Sequence, residues 1–170
     1  VEFGCGTGYF TPLLAQLSGE VIATDIAEPM LDLARERIRD LANVTVQVQD
    51  CEQTTFSPNS FNTAFLGLTF QLVDGPKTLA EMNRILRPGG NLILAIPTME
   101  GLCLRDKLGC ILRNVRAYGR IRPPGTRLYT RQSLLPLITR GGFTVLDAEP
   151  LSDPDHPGGF SGLYVRATKM

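Results

Sequence analysis

The residues Glu2-Phe3-Gly4-Cys5-Gly6-Thr7-Gly8 set three glycines at alternate positions, the first of them two residues after a carboxylate. Glycine lets the backbone come close to a ligand without a Cβ clash, so this loop can cradle a small molecule. A dinucleotide-type pyrophosphate loop needs glycines at i, i+2 and i+5, and the third of those places is Tyr9. No Gly-Lys-Ser/Thr follows either, which disfavours a nucleoside-triphosphate loop. Glu2 points the same way, because its charge repels a phosphate and suits an ammonium or a sulfonium. Asp25 and Asp50 close two later apolar runs, and carboxylates so placed can accept hydrogen bonds from a ligand. His156 is the sole histidine and is flanked by Asp153 and Asp155. Its ordinary pKa near neutrality makes it the candidate general base, against the alternative of a solvated turn residue.

Such a set works only if the ends of several strands meet. Residues 20–25, 44–50, 61–68 and 91–97 read as strands, by β-branched or continuous apolar runs. Between them, 28–41 reads as a helix with Pro29 in its first turn and an inner stripe of Met30, Leu33, Ala34, Ile38 and Leu41. The segment 75–90 reads as a second helix, with Pro76 at its start and Leu79, Met82, Ile85 and Leu86 inside. Pro88, Gly89 and Gly90 stop it. A short helix over 130–143 contains Pro136, and strands at 144–151 and 162–169 follow, joined by a turn-rich segment that makes them an antiparallel pair. Alternating strands and helices imply a parallel sheet covered on both faces, with ligands at the carboxyl ends of its strands.

The 170 residues suit one compact domain. Lys+Arg and Asp+Glu both number 17, so net charge points neither to nucleic acid nor to a membrane. Cys5, Cys51, Cys103 and Cys110 lack any C-x-x-C spacing. No metal site is expected, and the cysteines read as reduced thiols of a cytoplasmic protein.

The opening motif resembles the first motif, acid-x-Gly-x-Gly-x-Gly, of the class I S-adenosylmethionine-dependent methyltransferases. "VIATDIAEPML" (21–31), "VQVQDCEQTTF" (46–56) and the segment 61–97 with "RILRPGG" are similar to later motifs of the small-molecule branch called type 11. The fold implied is α/β, Rossmann-like and doubly wound, with a mainly parallel seven-stranded sheet whose last strand is antiparallel. The cofactor implied is S-adenosyl-L-methionine, with S-adenosyl-L-homocysteine as product. The resemblance sets Glu2, Gly4 and Gly6 around its methionine end, Glu2 acting through water, and makes Phe3, Cys5 and Gly8 of the same loop cofactor-binding. Asp25 takes the ribose hydroxyls, and Ile26 and Met30 lie near the adenine. Asp50 takes the adenine amino group, and the Cys51 amide serves a ring nitrogen. Leu66 to Gln71, with Gly67 and Leu68 at the cofactor, line the cleft that Pro97 and Thr98 also face. Relatives often carry two histidines near Phe70 and Gln71; neither is present here.

Residues 101–131 interleave Arg105, Lys107, Arg113, Arg116, Arg120, Arg122, Arg127 and Arg131 with Leu102, Leu108, Ile111, Leu112 and Val115. Three readings stay open for 98–125: a cap packed on the core, a lid over an anionic or apolar acceptor, or a peripheral membrane contact through 101–122. The expectation is a single methyltransferase domain over 1–170, missing N-terminal helices that relatives place ahead of Val1. It would act on a small apolar or anionic acceptor, with no nucleic-acid partner. The alternatives are a protein or RNA acceptor, or a cofactor-binding domain without catalysis.

Overall fold

The computed structural model describes residues 1–100, 102–119, 125–152 and 161–170. Its elements are β1 (Glu2–Phe3), α1 (Thr11–Leu17), β2 (Val21–Asp25), α2 (Glu28–Ile38), β3 (Val44–Val48) and β4 (Phe61–Gly67). A single 3₁₀ turn (Phe70–Leu72), α3 (Gly75–Ile85), β5 (Leu86–Pro97), α4 (Leu104–Tyr118), α5 (Arg131–Arg140), β6 (Phe143–Ser152) and β7 (Ser161–Lys169) follow.

The seven strands form one sheet in the order β3-β2-β1-β4-β5-β7-β6. The first five pair in parallel. Strand β7 lies antiparallel to both β5 and β6, so β6 runs with the first five. The expected sheet is therefore present, with its one reversed strand.

Strand alternation explains how helices come to cover both faces. Along β4, Phe65 meets the Phe10 ring at the start of α1, with centroids 5.6 Å apart. Its neighbour Leu66 belongs instead to the large core with Leu79 and Met82 of α3 and Leu134 and Ile138 of α5. A smaller cluster joins Cys5 and Ala23 to Leu31 and Ala34 of α2. Prolines sit in the first turns of α2 and α3, where no N–H is needed. The Asp74 side chain caps α3 by accepting from the Lys77 amide at 3.2 Å. Thr130 and Ser133 form a capping box on α5, which carries Pro136 internally.

Two sequence expectations need correction. The buried residues of α2 are Leu31, Ala34 and Ile38, while Met30 and Leu33 are 45% and 56% exposed. The helix has apolar residues on more than one side, and contact with the glycine loop selects which side faces in. Helix α3 stops at Ile85 rather than at Pro88, because Leu86 already pairs with Phe61 as the start of β5. Gly89, at φ +77°, belongs to an irregular stretch within that strand, not to a helix cap.

Candidate functional site

Register brings the site together. Phe3 of β1 is level with Thr24 of β2 and Leu66 of β4, so one step further aligns Gly4, Asp25 and Gly67. The pairs Asp25–Val48 and Gly67–Ala95 extend that row across five parallel strands. The chain steps outward from β1 to β3 on one side and resumes with β4 on the other, so the topological switch falls between β1 and β4. Open α/β sheets bind ligands at that point, outside the strand ends.

The glycines serve the loop in different ways. Gly4 has φ +65°, and a Cβ there would fall 2.2 Å from Thr69 Oγ1. Thr69 follows β4, and its hydroxyl lies 3.2 Å from the Gly4 carbonyl and 3.1 Å from that of Gly67, sharing one proton between them. Gly6 has φ +54°, and a Cβ there would meet nothing within 4 Å. It faces open space. Gly8 packs on α2, where a Cβ would come within 3.4 Å of Ala34.

Asp25 is half-buried, and both of its oxygens already hold backbone donors. The Gly6 amide donates to Oδ2 and the Ala27 amide to Oδ1, each at 2.9 Å. A carboxylate offers about four acceptor positions, so two are left for a ligand. Glu2 is buried, and Oε2 accepts the Thr11 hydroxyl at 2.6 Å. Burial pushes the Glu2 carboxyl above its ordinary range, and the Thr11 hydrogen bond partly offsets this. The Cys5 thiol is pushed up to about 12, first by burial and then by the charges of Glu2 and Asp25.

The other expected residues divide by environment. The Phe3 side chain is wholly buried in the core, which leaves its backbone for any ligand. Ile26 and Met30 are 68% and 45% exposed. Asp50 is exposed and accepts the Glu52 amide on Oδ1 at 2.8 Å, as a turn acid does. Cys51 beside it is buried, and its thiol is pushed up to about 11 by burial. Gly67 lies under the Phe10 ring, where a Cβ would come within 2.8 Å. Leu68 is held at φ +57° and donates its amide to the Ala95 carbonyl at 2.7 Å. A left-handed leucine costs about 1–2 kcal/mol, and such strain collects at ligand sites. Gln71 is buried, its amide nitrogen bonds the Leu68 carbonyl, and its Oε1 has no partner among the described residues. Thr98 is buried, with its hydroxyl 3.3 Å from the Tyr129 carbonyl. His156, with Asp153 and Asp155, lies outside the described residues.

Sequence reasoning gave no role to Thr11 or Phe10, and placed Thr69 only within the cleft-lining run after β4. Thr11 holds the buried acid, Thr69 locks the glycine loop against β4, and Phe10 covers Gly67. Only the aromatic run Tyr9-Phe10 behind the glycines hinted at the third. A cleft of about 1010 Å³ also opens at the amino ends of the strands, between Ile22 and Phe61–Thr63. None of the ligand-site side chains lines it.

The alternate glycines with Asp25 form a cradle open at Gly6, in a field that favours a cation. A sulfonium nucleoside fits that donor and acceptor set; a diphosphate does not. Comparison with known proteins agrees. The chain is 36% identical over 96 residues to a biotin-biosynthesis bifunctional protein of Cellvibrio japonicus, covering 56% of this chain and 19% of that one. It is 36% identical over 93 residues to a demethylmenaquinone methyltransferase of Staphylococcus aureus, covering 52% and 39% respectively. The chain thus spans well under half the length of both curated relatives. A solved S-adenosylmethionine-dependent methyltransferase structure from Methanosarcina mazei superposes with a TM-score of 0.77 at 20% identity, over 99% of this chain and 91% of that one. At that identity the likeness establishes the fold alone. A family model described as a methyltransferase domain matches residues 1–94, and the chain belongs to that family.

Proposed function

We propose that the chain binds S-adenosyl-L-methionine at the carboxyl ends of β1 and β2 and transfers its methyl group to a small acceptor. The observation that carries this reading is the single unit made by Gly6 and Asp25, beside the buried Glu2. Asp25 would hold the ribose hydroxyls on its two remaining acceptor positions. The open face of Gly6 would admit the methionine portion, and Ile26 and Met30 would flank the adenine, with Asp50 at its amino group. The cofactor supplies an electrophilic sulfonium methyl, so the protein's work is positioning and exclusion of water. Glu2 contributes a negative field at the positive end of the ligand. The segment around Leu68 and Gln71 would orient the acceptor. A base is needed only where the attacking atom carries a proton. His156 is the residue proposed for that step, and His156→Ala with unchanged turnover would remove it.

A small-molecule acceptor is supported by the name of the demethylmenaquinone methyltransferase relative. Titration calorimetry with S-adenosylmethionine and S-adenosylhomocysteine tests the binding half, with a nicotinamide dinucleotide as control. Binding of both adenosyl compounds and not the dinucleotide is expected. Failure to bind either would overturn the proposal. A methyl-release assay over quinol, phenol and carboxylate acceptors tests the transfer half. Turnover on a protein or RNA acceptor alone would redirect it.

A further inference from the structure

We propose that helix α4 docks the chain onto an anionic lipid surface through Leu104, Leu108, Leu112 and Val115. These four residues recur at helical spacing and are 74%, 51%, 68% and 44% exposed. The helix is half-buried instead through Asp106, Lys107, Gly109, Cys110, Ile111 and Asn114. Successive residues turn by about 100°, so the leucine arc and the body-facing side are adjacent sectors of one helix. The apolar stripe that sequence reading offers as a core-packing face is therefore turned to solvent.

Charge decides what could cover it. On the same wheel Arg105 and Arg116, both exposed, border one edge of the leucine arc, and Ile111 joins its other edge to the half-buried side, where Lys107 lies. Asp106, the helix's one acid, lies on the far side. An exposed leucine arc edged by arginines is the pattern of a helix lying in a membrane interface. The apolar residues enter the acyl boundary and the cations meet lipid phosphate. A nucleic acid would be met by cations and aromatic rings at the centre of the face, where this helix has leucines. Fifteen residues give a helix about 22 Å long against an apolar bilayer core of about 30 Å. No helix among the described residues is long and apolar enough to cross a membrane, so α4 would lie along the surface.

The test is co-sedimentation of the whole chain with phosphatidylcholine vesicles, with and without phosphatidylglycerol. It needs no methyl acceptor and stands apart from the methyl-transfer reading. The chain should bind the anionic vesicles and lose most of that binding in high salt or on neutral vesicles. Leu108→Ser/Leu112→Ser and Arg105→Glu/Arg116→Glu should each weaken it at least about tenfold. Both pairs are exposed, and thermal unfolding by circular dichroism confirms that the variants stay folded. No vesicle binding by the parent chain overturns the proposal. So does equal binding by the leucine variant, or sedimentation showing that this face instead joins two copies.

Discussion

The Gly6 amide donates to Asp25 Oδ2 at 2.9 Å, so the carboxylate closing β2 sets the shape of the loop that follows β1. The other oxygen holds the Ala27 amide and so fixes the turn into α2. One side chain thus organises the loop and keeps acceptor positions for a ligand. Its removal should be felt in stability and in binding together.

Asp25→Ala leaves two amide donors without their partner and should destabilise the chain by about 1.5–3 kcal/mol. Affinity for S-adenosylmethionine should fall at least about tenfold, which is about 1.4 kcal/mol. Asp25→Asn keeps one acceptor oxygen and should be milder in urea unfolding. Calorimetry showing full affinity in Asp25→Ala would take this residue out of the cofactor site.

Gly4 and Gly6 should respond differently to alanine. At Gly4 the new Cβ meets the Thr69 side chain and the backbone is left-handed. A loss of about 2 kcal/mol or more is expected, partly recovered in Gly4→Ala/Thr69→Ala. At Gly6 the space is open, so only the backbone term of about 1–2 kcal/mol applies. Cofactor binding should nevertheless be lost there, because the Cβ occupies the cradle. Equal binding by Gly6→Ala would contradict that placement.

Glu81 carries the clearest acid-side dependence. Its carboxylate accepts from Arg84 Nε at 2.8 Å and Nη2 at 2.6 Å, from the Thr54 amide at 2.8 Å, and from the Thr54 hydroxyl. These partners, the Arg84 guanidinium first, hold its pKa at about 2 against an ordinary 4.5. The folded state therefore binds fewer protons than the unfolded state in that interval. Its stabilising contribution is complete above pH 4.5 and is lost as pH falls towards about 2. Glu81→Gln should cost about 1.5–3 kcal/mol at neutral pH and flatten the acid limb of an unfolding series.

Glu2 has the opposite sign. Burial raises its pKa, so above the ordinary carboxylate range the folded state holds more protons than the unfolded chain. Stability then falls as pH rises through that window. Glu2→Gln keeps an acceptor for Thr11 without the charge, and it should raise the midpoint of thermal unfolding at pH 7. The same change should weaken binding of a sulfonium ligand more than that of S-adenosylhomocysteine. A lower midpoint would show that the charge is compensated in the fold.

Thiol reactivity should follow burial. With the Cys5 and Cys51 thiols pushed up to about 12 and about 11, their thiolate fraction at pH 8 is on the order of a thousandth or less. Exposed Cys103 should therefore be alkylated first by iodoacetamide. Mass spectrometry of the native chain reads this directly. Early modification of Cys51 would mean that its surroundings open readily.

The strand order and the acids at strand ends were legible because each rests on a local pattern. Runs closing on Asp25 and Asp50, and prolines placed for first helical turns, carry their meaning with them. The phase of α2 was not legible. Met30, Leu31 and Leu33 are all apolar, and the choice of Leu31 follows from Gly8 packing on Ala34, a contact between distant parts of the chain. The end of α3 was misplaced for a similar reason, since the Leu86 pairing with Phe61 overrides the Pro-Gly-Gly signal. Thr11 and Thr69 carry ordinary hydroxyls, and only folding shows which buried acid or glycine each one meets. In α4 the period was readable, but not which side would face outward.

Strand β7 sits between β5 and β6 although it follows both in the chain. During synthesis, β6 emerges with no partner to pair with, and the outer edge of β5 stays open until β7 arrives. Pairs such as Asn91 with Thr168 close late, because a long loop must be ordered first. The half built from β1 to β5, which holds the glycine loop, is left meanwhile with an unpaired edge strand. A growing chain stalled before β7 should thus be a target for chaperones and a seed for edge-to-edge aggregation.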